Sequence, residues 1–350
     1  LTNTTFTLNG AFGPNYGTYS TASDTATKCQ VAGCEVVVTT SSAHELASGD
    51  RLEITSVGGM TQINNTTSCG WSSCTYGHWI ANKIVSSTKF SLQGSVGPSY
   101  SNYSSGGSMQ CWMPGCAKYW FINANGNEKV YEGTTCVTER TTNAYTDAPP
   151  STTPLGRNYR APGDPCIAQT IMPLSTDKTA LHALANSLTA SGSTGGHIGL
   201  AWAWYMISPN FAYLWPNASK PAPYPDDPSD NLLKVVILMT DGAFNTVYYN
   251  GVVAKDSIAG SGGADTHINQ NAPNGSSLAQ GAAICSAIKA GDKVVVYTVG
   301  FDIGTDPGAV NLMKNCASDP SKAYLAATGT ELRNAFKEIA QDIAALRVTK

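Results

Sequence analysis

The sequence predicts an α/β protein with a doubly wound parallel sheet and an inserted all-β domain, on three observations. Residues 234–240 are apolar on both faces, as buried parallel strands are, and Asp241 and Gly242 follow them directly. Strand-like and helix-like stretches alternate from residue 166 onwards. Residues 35–110 alternate polar and apolar side chains between turn signals, which is typical of antiparallel strands.

The first half of the chain is predicted to be β throughout. Residues 1–34 are rich in Thr, Asn and Gly and lead into the insert. The turn signal 123–128 separates two apolar stretches and predicts a hairpin. Residues 146–166 are predicted to be an ordered crossing, because Cys136 and Cys166 bracket them. The expected strands of the insert lie at 36–40, 51–55, 58–64, 78–82 and 88–92.

The second half is predicted to alternate helices and buried strands. Asp177 is expected to cap a helix over 178–189, and Thr194 to open a helix that runs to about Ile207 and stops at Pro209. The remaining elements are expected in the order helix 277–290, strand 293–300, helix 308–316, strand 323–327 and an amphipathic closing helix 331–346.

These elements divide the chain into four parts. Residues 1–34 are the β-rich start of the insert, and residues 35–110 are a small β-barrel-like domain. Residues 111–165 form a hairpin and a disulfide-bracketed connection, and residues 166–350 form the α/β part.

Composition excludes several classes of function. The 350 residues suffice for two hydrophobic cores. Only 13% of the residues are charged and the net charge is −3, so the sequence predicts no basic surface for binding nucleic acid. There is no initiator Met, no signal peptide and no apolar run near the length of a membrane span. The chain is therefore expected to be a mature or trimmed segment, with membrane contact only through a segment outside it.

Ten cysteines indicate an oxidising, extracytoplasmic compartment. Zinc is the alternative, but zinc ribbons usually have two-residue knuckles in matched pairs, which the sequence lacks. Disulfides are favoured, although spacing alone cannot establish their connectivity. The expected pairs are Cys29 with Cys34, Cys69 with Cys74, Cys111 with Cys116, Cys136 with Cys166, and Cys285 with Cys316.

Asp241 is the strongest candidate for a functional site, because open α/β sheets bind ligands at the carboxyl ends of their strands. Ser193 and Thr194 lie in a glycine-rich loop ahead of a helix, where their hydroxyls could bind a metal or cap the helix. The acidic loops 224–230 and 302–306 could hold Ca²⁺, but solvated turns are favoured because their spacing fits no dedicated calcium loop.

No catalytic motif accompanies these residues. The sequence contains neither His-Glu-x-x-His nor Gly-x-Ser-x-Gly after a strand, so no enzyme is expected. His197, beside the glycine-rich loop, is expected to pack or to support the site rather than to act as a base.

The order of motifs from Cys136 to Ser318 resembles the bacterial TadE/TadG-like proteins of tight-adherence (Flp-type) pilus assembly, which carry a von Willebrand factor A-type domain. The segments that carry the resemblance are 136–140, 143–148, 171–174, 192–204, 207–209, 238–242, 296–301 and 315–318. The resemblance implies an extracytoplasmic, bacterial adhesion component that binds a protein partner at the cell surface or on a pilus.

The resemblance also implies a metal-ion-dependent adhesion site. Such domains use a loop threonine and an aspartate after the central strand, which match Thr194 and Asp241. They also use Asp-x-Ser-x-Ser after the first strand, and this motif is absent from the chain. The first strands are therefore expected before Leu1, and Mg²⁺ or Ca²⁺ binding is expected to be weak in this chain. The alternative is a structural surface-assembly protein with a vestigial metal site.

A second resemblance concerns residues 35–110. The series His44, Gly49-Asp50, Gly59-Met60-Thr61 and Phe90 is similar to a small β-barrel insert of the ubiquitin-activating-enzyme half-domain type. It implies a fold and no ubiquitin chemistry.

Overall fold

The protein has a mixed α/β fold in a computed structural model. The structure describes residues 5–7, 18–20, 25–27, 35–40, 43–65, 78–96, 99–163, 166–189, 192–226, 232–242, 244–258 and 262–348.

The N-terminal part is antiparallel. Strands β1 (Thr5–Thr7) and β2 (Thr18–Ser20) pair with each other. A six-stranded sheet has at its centre the alternating strands that the sequence predicts, and its inward side chains form a separate apolar core with Leu52, Ile54 and Phe90. Its strand order is β3 (Thr25–Thr27), β4 (Val37–Thr39), β7 (Lys89–Leu92), β6 (Trp79–Ser86), β5 (Arg51–Gly58) and β8 (Ser105–Cys111).

The prediction of a strand at 58–64 is wrong. Strand β5 ends at Gly58, and Thr61–Ile63 form a short 3₁₀ helix. Gly59 has φ +76°, and a side chain there would collide with the Asn102 carbonyl, so the chain turns where only glycine fits. Met60 and Ile63 then bury their side chains in the core of this sheet.

A second antiparallel sheet joins the β-rich part to the α/β part. It contains β9 (Lys118–Ile122), β10 (Glu128–Val137) and β11 (Arg157–Tyr159), with the predicted hairpin turn at Asn123. Its aromatic side chains pack against a small hairpin of β13 (Tyr248–Tyr249) and β14 (Val252–Val253). Residues 111–165 are therefore more than a connection, because they share a core with a loop of the α/β part.

The α/β part has a parallel three-stranded sheet of order β12 (Val235–Thr240), β15 (Val295–Phe301) and β16 (Ala323–Ala326). Helices α2 (Gly196–Ile207), α3 (Ser277–Lys289) and α4 (Pro307–Cys316) pack on one face. Helix α5 (Gly329–Val348) covers the other face, where Ile339 meets Tyr297 and Val299. Asp177 caps α1 (Lys178–Ser187) as predicted, although the helix ends two residues before the expected position.

Two predictions for this part are corrected. The helix expected to open at Thr194 begins at Gly196. The strand predicted to be buried on both faces is covered on one only, since Ile237 and Met239 are 40% and 44% exposed. The reason is that β12 is the outer strand of the described sheet, while α5 packs over β15 and β16.

Lys234, directly before β12, is buried although it carries a charge. Its Nζ donates to the carbonyl oxygens of Ile207 and Ala222, both at 2.6 Å, and lies 5.1 Å from the centre of the Tyr224 ring. Burial lowers the pKa of Lys234 to about 8. The amine is thus satisfied by neutral groups and carries a desolvation cost.

The structure contains three of the pairs that the spacing predicts. Cys111 is bonded to Cys116, Cys136 to Cys166, and Cys285 to Cys316. The expected pairs of Cys29 with Cys34 and Cys69 with Cys74 lie outside the described residues. The Cys285–Cys316 bond links α3 to α4, which flank β15 on one face of the sheet.

Replacing both Cys285 and Cys316 with Ala should lower the free energy of unfolding by about 3–4 kcal/mol, because the bond closes a loop of 31 residues. The matched double variant of Cys111 and Cys116, whose separation is 5 residues, should lose only about 2 kcal/mol. Chemical denaturation of both variants measures the difference. Equal losses would contradict an effect governed by loop length.

The buried amine predicts a pH dependence. The pKa of Lys234 lies near 8 in the folded chain and at about 10.4 when unfolded. The unfolded chain therefore binds more protons between these values, and stability rises as the pH increases through this window. Thermal unfolding of the wild type and of Lys234→Met at pH 7 and pH 9.5 should show the wild type gaining relative to the variant. A difference that does not change with pH would show that the amine is not desolvated.

Candidate functional site

Asp241 lies at the carboxyl end of β12, where it is exposed. The strand register pairs Thr240 with Gly300, so Asp302 follows the neighbouring strand β15 at nearly the same level. Asp302 has φ +55°, a left-handed conformation that costs energy for a residue with a side chain. Its backbone N–H donates to the Ala326 carbonyl at 2.8 Å, which holds the turn in place. Two carboxylates thus follow adjacent strands at the edge where such sheets bind ligands.

Phe244 anchors the loop that follows Asp241. Its ring is buried against the start of α2, where a β-carbon at Gly196 would overlap it. The other side of the ring meets α3, where a β-carbon at Gly281 would lie 3.3 Å away. The two glycines therefore leave the space that the ring fills, and the loop is fixed between two helices.

Asn245 joins this loop to the one that carries Thr194. Its Oδ1 accepts from the Thr194 backbone N–H at 2.8 Å, and its own N–H donates to the Thr194 carbonyl at 3.0 Å. Thr246 donates a further backbone bond to the same carbonyl at 3.2 Å. The loops of Thr194 and Asp241 are therefore bonded neighbours.

The capping role considered for Ser193 and Thr194 is wrong. Gly195 is the N-cap of α2, and no side chain in the described part of the chain caps the helix. Both residues are partly buried in the loop ahead of the cap. The positive end of the helix dipole therefore lies next to this loop, and the first turn of α2 contains no acidic residue, which favours an anionic group nearby.

The described donors fit a divalent ion only in part. Mg²⁺ and Ca²⁺ are bound by several oxygen atoms. Here the loop with the hydroxyls of Ser193 and Thr194 adjoins the loop that follows β12 and begins with the Asp241 carboxylate. A second carboxylate, Asp302, follows the neighbouring strand β15. Within the described ranges, no three His, Cys, Asp or Glu side chains are grouped closely enough to hold a metal. Such a donor set could hold Mg²⁺ or Ca²⁺ weakly, with water completing the coordination.

Two other carboxylates of the acidic loops 224–230 and 302–306 have partners of their own. Asp226 forms an exposed ion pair with Lys293 at 3.0 Å. Asp306 accepts from the Ala309 N–H at 3.0 Å and caps α4. Residues 227–231 lie outside the described part of the chain.

His197 belongs to a buried hydrogen-bond network behind the loop. Its Nδ1 lies 2.7 Å from Ser277 Oγ, and its Nε2 lies 3.0 Å from Glu139 Oε2. Glu139 Oε1 also accepts from the Tyr248 backbone N–H at 2.7 Å. The order serine–histidine–carboxylate is that of hydrolase triads, but Ser277 is 3% exposed and the adjoining cavity measures about 10 Å³. That volume admits one water at most, so the network in this conformation joins elements and offers no substrate access.

Arg140, the residue after Glu139, forms further contacts with α2. Arg140 is 1% exposed. Its guanidinium donates to the Tyr205 hydroxyl at 3.1 Å and to the carbonyls of Ala148 and Thr153. The same group lies 5.5 Å from the centre of the Phe211 ring. These contacts fix the crossing 146–155 against α2. Because α2 also carries His197, the consecutive residues Glu139 and Arg140 set the position of the helix that follows the Thr194 loop.

Sequence reasoning did not identify Phe244, Asn245 or Asp302 as parts of the site. Asp302 follows a predicted strand and could have been found by the rule that located Asp241. The role of Phe244 depends on spaces left by glycines in two distant helices, for which the sequence has no local signal.

Neither a model of any protein family nor any curated protein matches this chain. Among the described residues, no helix is long and apolar enough to cross a membrane.

Replacing Gly196 with Ala should displace Phe244 and lower the free energy of unfolding by about 1–3 kcal/mol, the usual cost of overpacking a core. Gly199→Ala is the matched control, because it lies in the same helix, nothing lies within 4 Å of its β-carbon, and alanine favours a helix interior. Denaturation curves measure stability, and amide chemical shifts of 241–246 report the loop. The same response in both variants would show that Phe244 does not anchor the loop.

Proposed function

We propose that this chain is an extracytoplasmic, TadG-like component of a bacterial surface or pilus, which binds a protein partner at the loops of Thr194 and Asp241. The α/β part is then the C-terminal portion of a von Willebrand A-type domain, into which the β-rich part is inserted. The location would be periplasmic, cell-surface or secreted.

The observation that carries the proposal is the bonding of the Thr194 loop to the loop that follows β12. Asn245 ties the Thr194 loop to the loop after Asp241, and α2, which no described side chain caps, begins directly after the Thr194 loop. An exposed carboxylate, two hydroxyls and a helix dipole form a polar surface that suits an acidic partner when a cation is present. The three disulfides support an oxidising compartment.

The mechanism that we propose is completion of an ion's coordination by a carboxylate of the partner. Asp241 would hold Mg²⁺ or Ca²⁺, Thr194 and Ser193 would orient its waters, and Phe244 would keep the loop fixed. A bound ion would supply positive charge for the partner's carboxylate. The first strands of the domain, expected before Leu1, would bring the carboxylate and hydroxyls that the described donors lack.

A second candidate is a structural role in a surface assembly with a vestigial metal site. The observation that favours it is the low number of carboxylates grouped in the described residues. The two candidates differ in their response to a divalent ion.

The chain should bind Mg²⁺ no more tightly than about millimolar, because few protein oxygens replace its waters. Isothermal calorimetry should show that Asp241→Ala removes this binding, while Asp256→Ala, which changes a carboxylate that accepts from the Ala272 N–H, leaves it unchanged. An added upstream segment with the Asp-x-Ser-x-Ser motif that the resemblance implies should tighten binding through its carboxylate charge. Micromolar binding by the 350-residue chain, or binding that Asp241→Ala leaves intact, would contradict the assignment.

A further inference from the structure

Two buried polar side chains of the hairpin β9–β10 meet one carboxylate from a distant loop. Asn123 directly follows β9 and is 0% exposed, and Lys129 lies in β10 and is 3% exposed. Lys129 Nζ lies 3.0 Å from Asp265 Oδ2, and Asn123 Nδ2 donates to Asp265 Oδ1 at 3.0 Å. Because both oxygens belong to one carboxylate, the amine and the amide are held side by side.

Backbone contacts fix the loop that carries Asp265 on this hairpin. The Ala124 N–H donates to the His267 carbonyl at 2.9 Å, and Asn123 and Ile268 form an antiparallel bridge. The Asp265 carbonyl also accepts from Asn123 Nδ2 at 2.9 Å. Groups that folding holds together in this way can react as if they were at a very high local concentration.

The amide of Asn123 is polarised for attack at its carbon. Its Oδ1 accepts from the backbone N–H groups of Asn125 at 3.1 Å and of Asn127 at 2.8 Å. Two donors on one oxygen draw electron density from Cγ and stabilise the negative charge that develops on Oδ1 when a nucleophile adds. Cγ is therefore the electrophilic atom, and Nδ2, which contacts Asp265, is placed as the leaving group.

The Lys129 side chain lies among aromatic rings. The strand register pairs Lys129 with Phe121, and Phe121 packs against Tyr131 in the core of this sheet. Burial raises the pKa of Tyr131, and the charge of Asp265 raises it further. Apolar surroundings favour a neutral amine and a carboxylic acid over an ion pair, and the neutral amine is the nucleophilic form of lysine.

We propose that Lys129 and Asn123 form an intramolecular isopeptide bond, with Asp265 as the group that transfers protons. Asp265 takes a proton from the Lys129 ammonium, and the neutral Nζ adds to Asn123 Cγ to form a C–N bond. Asp265 then donates this proton to Nδ2, the bond between Cγ and Nδ2 breaks, and ammonia leaves. Nζ loses a second proton, which the ammonia takes up through Asp265, so that the products are a secondary amide, ammonium and the restored carboxylate.

The site has an exit for the ammonium, because the Asp265 side chain is 53% exposed whereas that of Lys129 is 4% exposed. The product amide links the end of β9 to β10 and closes the turn between them covalently. This site shares no residue with the loops of Thr194 and Asp241, so the inference does not rest on the proposed cation binding.

The test is peptide mapping of the full 350-residue chain after denaturation, reduction and alkylation. Trypsin cleaves after Lys129 only when its amine is free, so the linked chain should yield one peptide, 119–140, which is lighter than its sequence by one ammonia. Its fragment spectrum should lack backbone cleavages between Asn123 and Lys129. The variant Asp265→Asn, which keeps polar groups at this position but cannot transfer the proton, should give the separate linear peptides 119–129 and 130–140. Circular dichroism checks that the variant is folded.

The matched control is Asn125→Ala, which keeps the backbone N–H that donates to Asn123. It should still form the link, and because an Asn-Gly pair can lose ammonia by itself, it excludes Asn125 and Gly126 as the source of the mass change. Complete cleavage after Lys129 in the wild type would overturn the proposal, as would loss of the mass change in Asn125→Ala. A link from Lys129 to the peptide that contains Asp265, with loss of one water, would replace Asn123 by Asp265 as the acylating group. A link that persists in Asp265→Asn would overturn the role of this carboxylate.

Discussion

The arrangement of the molecule depends on the burial of two consecutive charged residues, Glu139 and Arg140. Glu139 bonds to His197 and to the Tyr248 backbone, and Arg140 bonds to Tyr205 and to carbonyls of the crossing that follows it. Both belong to the β-rich half, while His197 and Tyr205 lie on α2. Removing one partner of a buried charged contact costs about 3–5 kcal/mol, so the junction resists separation. The position of α2, and with it the Thr194 loop, follows from this contact.

The candidate site is assembled by packing and backbone bonds rather than by a cluster of charged ligands. Phe244 occupies space left by Gly196 and Gly281, and Asn245 bonds to both backbone groups of Thr194. Fixed loops of this kind present few groups at little entropic cost, which suits recognition of a partner. The small number of carboxylates at the site limits the affinity for an ion, so the partner's own carboxylate would matter in the proposed mechanism.

Much of the α/β part could be predicted from the sequence, because apolar runs, caps and cysteine spacing are local signals. The strand before Asp241, the cap at Asp177 and the Cys285–Cys316 pair are examples. The sequence could not show which strand lies at the edge of the sheet, since an apolar strand looks the same with or without a neighbour. The sharing of one core by residues 111–165 and the hairpin at 248–253 depends on tertiary contacts between distant segments. The turn at Gly59 was missed because a positive φ leaves no signal beyond the glycine itself.

We propose that the loops of Thr194 and Asp241 form one cation-dependent surface. Paramagnetic broadening by Mn²⁺ tests it most directly, because the effect is local and each backbone amide reports separately. Millimolar Mn²⁺ should broaden the amides of 193–196 and 241–246 together, and Asp241→Ala should remove both effects. Broadening confined to the amides of 302–306 or to those near Asp226, with none at Thr194, would contradict a shared cation site at the loops of Thr194 and Asp241.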